Sequence, residues 1–261
     1  MNRIPLTCEI EDGVATLILD NPPLNLVTVE LTNLLLDRLA ELAERRDVRA
    51  LVVTGAGERA FCAGSDVSEF PGLYKPGDAV AKKLGAENAA FSAVDDFPKP
   101  TIAALNGLAY GGGLELAVSC DLLVAEETVR FALPEIRLGI FPGSGGTVRV
   151  TRRVGEGRAK ELMYFGDPID AETAFRWGLV NRVVPRGQAL QVAQDLARRL
   201  AQGPPNGLRL CKTAVDLSFD VSEDEAIRRS LDLIGQAFTL PDCAEGVAAF
   251  FGKRSARFQD I

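Results

Sequence analysis

Three short apolar runs, each bounded by turn residues, constrain this chain most. Val14–Asp20 (VATLILD) stops at Asn21-Pro22-Pro23, Ala50–Thr54 (ALVVT) stops at Gly55-Ala56-Gly57, and Thr101–Leu105 (TIAAL) follows Pro98-Lys99-Pro100. Apolar runs of this length, punctuated by Gly and Pro, read as buried strands. Between the first two, Glu30–Arg46 places Leu31, Leu35, Leu39 and Leu42 on one face, the spacing of an amphipathic helix. Asp121–Ala125 and Val129–Ala132 are further strand candidates. Strands alternating with helices predict an α/β fold with largely parallel pairing. From about Gly155 the pattern turns helical. Gln188–Ala201 carries Ala189, Val192, Ala193, Leu196, Ala197 and Leu200 on one stripe, and Pro204-Pro205 breaks it. Helical stretches over Asn206–Leu217, Ser222–Phe238 and Asp242–Phe251 follow. The expected division is an α/β core over residues 1–200 and a helical segment over 201–261.

Composition narrows the function. Of 261 residues 47% are hydrophobic, ample for a core, and the formal net charge is −7. That acidic balance argues against nucleic acid or an anionic membrane surface as partner. No apolar stretch approaches the roughly 18–20 residues that span a bilayer, and MNRIPLTCEI has no long apolar run of a secretory signal. The five cysteines are odd in number and scattered, so they read as reduced thiols of a cytoplasmic protein. Histidine is absent, which removes Ser-His-Asp and Cys-His schemes together with the commonest zinc ligand. With no C-x-x-C pair either, no metal is expected. Acid–base work would fall to Asp, Glu, Lys, Tyr or Cys, and the 36 acidic residues make carboxylates the first candidates.

Three segments could carry chemistry. Ala60–Val67 (AFCAGSDV) follows a strand and a glycine turn, and its small residues Ala63, Gly64 and Ser65 admit a ligand close to the backbone. An ordinary strand-to-helix turn would look the same. Asn106–Glu115 (NGLAYGGGLE) sets three glycines before a helical start. Glycine costs roughly 1 kcal/mol relative to alanine inside a helix, so the run needs a reason. One reason is exposed N–H groups that favour negative charge; the other is close backbone packing. Glu115 lies three residues after Gly112 and would share its face of the first turn, either toward a ligand or as a helix-dipole partner. Leu133–Thr147 (LPEIRLGIFPGSGGT) holds Glu135 in an apolar setting ahead of a Pro142–Gly146 loop. A lone loop Glu is usually solvated, so Glu135 gains weight only from the combination. The polar stretch Ser68–Asp95 reads as a loop and helix near a binding site.

In combination, and in this order, these motifs resemble the crotonase (enoyl-CoA hydratase/isomerase) superfamily over nearly the whole chain. The resemblance runs from Asn21-Pro22-Pro23-Leu24-Asn25 through AFCAGSDV, the Asn106-Gly107 to Glu115 run and PEI..G..PG.GGT to the terminal FFGKRSARF. It implies a spiral of ββα units with a helical C-terminal trimerisation segment, as a homotrimer or a dimer of trimers. It also implies that the N–H groups of Ser65 and Gly112 form an oxyanion hole for a thioester carbonyl becoming an enolate. Since those donors are backbone groups, a serine at 65 should serve as well as another small residue. Glu115 and Glu135 match the two carboxylates that hydratases use to activate one water, and Gly143 matches a position beside that water. For coenzyme A the resemblance points to the Ala63 carbonyl, to Arg59 at a phosphate, and to Phe250 and Lys253 reaching a neighbouring subunit's ligand.

The implied activity is reversible hydration of a 2-enoyl-CoA, with coenzyme A as part of the acyl-CoA substrate and no separate cofactor. Isomerisation or dehydration of another acyl-CoA, and acyl-CoA binding without catalysis, are the alternatives. Both glutamates favour the hydratase. Two departures bear on the acyl pocket: Leu114 stands where a smaller residue is frequent, and Asp66–Pro100 lies where the family varies.

Overall fold

The computed structural model describes residues 4–259, so Met1–Arg3 of the N-terminal stretch lie outside it. Ten strands form two sheets among the described residues. The larger has the order β1 (Leu6–Glu11), β2 (Val14–Leu19), β3 (Ala50–Gly55), β5 (Thr101–Leu105), β7 (Leu122–Glu126), β10 (Arg182–Val184). Only β1 and β2 pair antiparallel, through a tight turn at Asp12-Gly13 with φ of 49° and 79°; the other neighbours are parallel. The smaller sheet is β4 (Ala60–Cys62), β6 (Leu108–Tyr110), β8 (Arg130–Ala132), β9 (Ile169–Asp170).

The two sheets alternate along the chain. Strands β3, β5 and β7 of the larger sheet each lead directly into β4, β6 and β8 of the smaller one. After β4 and β6 the chain returns through α2 (Gly85–Asp95) and α3 (Gly112–Val118), and after β8 through a 3₁₀ turn at Pro134–Leu138 and α4 (Gly146–Val154). This repeated strand–strand–helix winding is the expected spiral of ββα units.

Strand periodicity explains why the three apolar runs carry so little polarity. Side chains alternate between faces, and both faces of the larger sheet are covered, so nearly every position is apolar, and the buried Thr54 hydroxyl is bonded to the Ala104 carbonyl at 2.9 Å. Leu51, Val53, Ala103 and Leu105 enter the main core, where α1 (Val29–Glu44) brings Leu31, Leu35, Leu39 and Leu42. Ala50, Val52, Ile102 and Ala104 point the other way, onto Ala189, Ala193, Ala197 and Ala201 of α7 (Ala189–Ala201). An alanine every fourth residue lets this helix lie close on the sheet. Thr28 caps α1, its hydroxyl accepting from the Leu31 N–H at 3.1 Å. Helices α8 (Pro205–Asp220), α9 (Glu223–Thr239) and α10 (Pro241–Phe251) complete the chain and expose Phe219, Ile227, Leu231, Ile234, Phe238, Phe250 and Phe251.

Leu114 differs from expectation. It is fully buried among the side chains of the main core and does not line the cavity described below. Position 114 therefore does not shape that cavity directly.

Asn25 fastens the entry to the spiral. It is buried at φ 55°, a conformation Asn tolerates better than most residues. Its Nδ2 donates to the carbonyls of Ala56 (3.0 Å) and Ala60 (2.9 Å), and its Oδ1 accepts from the Asn21 N–H at 3.2 Å. Asn25→Ala strands these groups and adds αL strain, so we expect a loss of roughly 2–4 kcal/mol. The measurement is the urea midpoint at unchanged m-value, and a loss below about 0.5 kcal/mol would contradict the assignment.

Candidate active site

The smaller sheet delivers the site. β4 runs into Ala63, Gly64 and Ser65, and β6 runs into Gly111, Gly112 and α3. The two segments meet without side chains between them. A Cβ on Gly113 would stand 2.0 Å from the Cys62 carbonyl oxygen, and one on Gly112 would stand 2.9 Å from Ser65 Oγ and 3.4 Å from Ser65 N. The glycine run is thus explained by close backbone packing, and the same packing brings the two N–H groups together. Val27 bonds to both neighbours of Ser65, donating to the Gly64 carbonyl and accepting from the Asp66 N–H, each at 2.9 Å. By strand alternation the Ser65 N–H points away from Val27. Gly112 is the first residue of α3, so its N–H has no acceptor within the helix.

A cavity of about 600 Å³ opens over this point. Ala63, Ser65, Gly112, Glu115, Glu135 and Gly143 all line it. Glu115, one turn into α3, is 2% exposed, and its Oε1 accepts from the N–H groups of Ser144 (2.7 Å) and Gly146 (2.8 Å). Those two donors belong to the Pro142–Gly146 loop. A Cβ on Gly146 would stand 2.8 Å from Glu115 Oε1, so glycine is the residue that lets this N–H close in. Glu135 comes from the 3₁₀ turn after β8. A Cβ on Gly111 would stand 2.7 Å from its Oε1, while its Oε2 is buried without a hydrogen-bond partner among the described residues.

Burial pushes the Glu115 carboxyl up to about 8, helped by the charges of Glu135 and Glu87 and opposed by the Gly146 and Ser144 N–H groups. Burial likewise pushes Glu135 up to about 7, with Glu87 adding to it. Two neighbouring carboxyls shifted this way titrate as a pair, and near neutrality the pair retains a proton. One group able to take a proton then sits beside one able to give it.

The other expected coenzyme contacts lie apart. Arg59 is exposed on the turn before β4, and Phe250 and Lys253 are exposed at the end of α10; none of the three lines the cavity. Segment 67–87 does contribute: Val67, Phe70, Leu73, Tyr74 and Leu84 form the apolar wall. Two polar residues there, Lys83 and Glu87, escaped the sequence reading, as did Ser144 within its loop. A signal for Glu87 existed. It shares the i, i+3, i+4, i+7 stripe with Ala90, Phe91 and Val94, all buried, where a charge is out of place.

Comparison with known proteins shows the family. The sequence model of the enoyl-CoA hydratase/isomerase family matches residues 9–261. The chain belongs to that family. It is 37% identical over 217 residues to a short-chain-enoyl-CoA hydratase of Clostridium acetobutylicum, covering 83% of this chain and 82% of the relative. It is 36% identical over 252 residues to a crotonyl-CoA hydratase of Syntrophomonas wolfei, covering 96% of each. Among solved structures, an enoyl-CoA hydratase from Bacillus anthracis superposes with a TM-score of 0.93 at 33% identity, covering 98% of this chain and 99% of that one. Within the family, no helix among the described residues of this member is long and apolar enough to cross a membrane.

The raised carboxyls carry a stability consequence. Between the ordinary 4.5 and about 8, the folded chain holds a proton on Glu115 that the unfolded chain has released. The contribution of Glu115 to stability is therefore fullest below pH 4.5 and falls as pH rises toward 8. Glu115→Gln keeps an amide oxygen for both N–H donors and removes the titration. We expect it to be more stable than the parent by roughly 2–4 kcal/mol near pH 8, with little difference near pH 4. Urea denaturation at the two pH values checks this; an equal gain at both would contradict it.

Proposed function

We propose that the protein is an enoyl-CoA hydratase, adding water reversibly across the C2–C3 double bond of a 2-enoyl-CoA thioester. The observation that carries this reading is the meeting of Glu115 and Glu135, both shifted upward, with the Ser65 and Gly112 N–H groups in one cavity. Acyl-CoA binding alone would need the donors but not the acid–base pair.

The thioester oxygen is placed between the two N–H groups, where fixed dipoles stabilise the charge that develops as the enolate forms. One such donor typically contributes roughly 2.7–4 kcal/mol. A water held by the glutamates gives its oxygen to C3 and one proton to a carboxylate. The other carboxyl gives its proton to C2, so the pair ends with the number of protons it began with. Gly143 is placed beside this water. The apolar wall of Phe70, Leu73 and Leu84 takes the acyl chain. Coenzyme A arrives with the substrate, and the reaction needs no separate cofactor.

For the remainder of the coenzyme we assign the Ala63 carbonyl to the adenine and Arg59 to a phosphate. Phe250 and Lys253 are assigned to a neighbouring subunit's ligand. Their exposure, and the apolar side chains shown by α8–α10, support a homotrimer or a dimer of trimers built on the helical segment over 201–261.

Crotonyl-CoA hydration, followed by loss of the conjugated thioester absorbance, tests the reading. Glu115→Gln and Glu135→Gln should each lower kcat by roughly 10²–10⁴. The parent kcat/KM should be bell-shaped with limbs near the pair's values of about 7 and 8. Absence of hydration for every short and medium 2-enoyl-CoA would sink the proposal.

A further inference from the structure

A third carboxylate lies under the site. Glu87 of α2 is 1% exposed, and its Oε1 accepts hydrogen bonds from the hydroxyls of Ser65 (2.7 Å) and Ser144 (2.8 Å). Its Oε2 has no hydrogen-bond partner among the described residues and stands 3.8 Å from Lys83 Nζ. Lys83, 3% exposed, sits on the π-helical turn Val80–Leu84 that leads into α2. It donates to Glu69 Oε2 at 2.6 Å and to the Val27 carbonyl at 3.2 Å. A chain Glu69–Lys83–Glu87, buried at Lys83 and Glu87 and half-buried at Glu69, thus ends on two serines.

Fold stability gives this chain of charges little reason to exist. Apolar side chains of similar volume usually replace buried ion pairs with no loss, and often with a gain. What distinguishes it is where the serines lead. Ser65 bears one of the two N–H donors, and Ser144 bears an N–H that holds Glu115. A two-hydroxyl acceptor between them fixes the donor and the carboxylate clamp against each other.

We propose that Glu87 is a positioning residue of the active site, which through the Ser65 and Ser144 hydroxyls sets the oxyanion donor relative to Glu115. This rests on the assignment of Ser65 and Gly112 as the oxyanion hole. It also means that the serine at 65 is more than a small residue: its hydroxyl is the link. The groups facing Glu87 are Lys83 before its own helix, Glu69 beyond Lys83, Glu115 and Glu135 across the cavity, and the Cys62 thiol on β4. Its charge raises both catalytic carboxyls, so neutralising it lowers both.

Glu87→Met, which removes the acceptor at similar volume, and Ser65→Ala, singly and together, test the proposal on the whole chain with crotonyl-CoA. Glu87→Met should lower kcat about 10- to 100-fold while KM changes less than about threefold, and should move both limbs of the kcat/KM profile to lower pH. The double variant should be little worse than Glu87→Met alone, because one linkage is cut twice. A kcat within twofold of the parent, or unmoved limbs in a variant with unchanged thermal midpoint, would overturn it. A second readout separates the two readings: the enolate absorbance of bound acetoacetyl-CoA needs the oxyanion hole but no hydration. If the parent hydrates nothing yet raises the enolate fraction, and Glu87→Met lowers it, the hydratase reading falls and the positioning role stands. Equal enolate fractions in parent and variant would remove the positioning role.

Discussion

The site depends on one contact between backbones: Gly113 of α3 lies directly on the Cys62 carbonyl of β4, where any Cβ would stand 2.0 Å from the oxygen. Without a side-chain layer between them, the start of α3 reaches the segment after β4. The same approach brings Gly112 beside Ser65 and turns Glu115 into the cavity one helical turn later. Gly111 makes room for Glu135, and Gly146 for Glu115. Each glycine is a steric requirement at a place where a carboxylate or an N–H group must come close.

Those contacts explain how acidic groups remain inside an apolar cavity. A buried carboxylate is costly unless it is bonded or protonated. Glu115 has two N–H donors, and Glu87 has two hydroxyls with a lysine nearby. Glu135 has an oxygen with no described partner. The apolar burial in the two cores on either face of the larger sheet offsets this cost. Activity-bearing strain and burial of this kind commonly oppose stability.

The strands and helices with strong apolar periodicity were legible. Thr101–Leu105 is observed as expected, and α1, β3 and α7 differ from expectation by one or two residues at an end. Strands β4 and β6 were not legible as strands: at three residues each, they are too short to show a period. Leu6–Glu11 did alternate, with Leu6, Cys8 and Ile10 on one side, and its pattern went unread. At the site, Glu115 and Glu135 could be named because they lie in motifs of fixed order. Glu87 lies outside those motifs, so its single clue was a charge on an apolar helical stripe.

By itself, then, the sequence determined the parallel α/β class, the spiral order of its motifs and the residue types of the site, because periodicity and glycine placement are local and survive in one dimension. Tertiary structure decided which groups meet. Ser65, Glu87 and Ser144 are 22 and 57 residues apart in their two hydrogen bonds, and Leu114 faces the core although Glu115, next in the chain, lines the cavity. No spacing rule predicts such contacts, since they arise where separate turns of the spiral pack and only the folded backbone sets which side chains share a space.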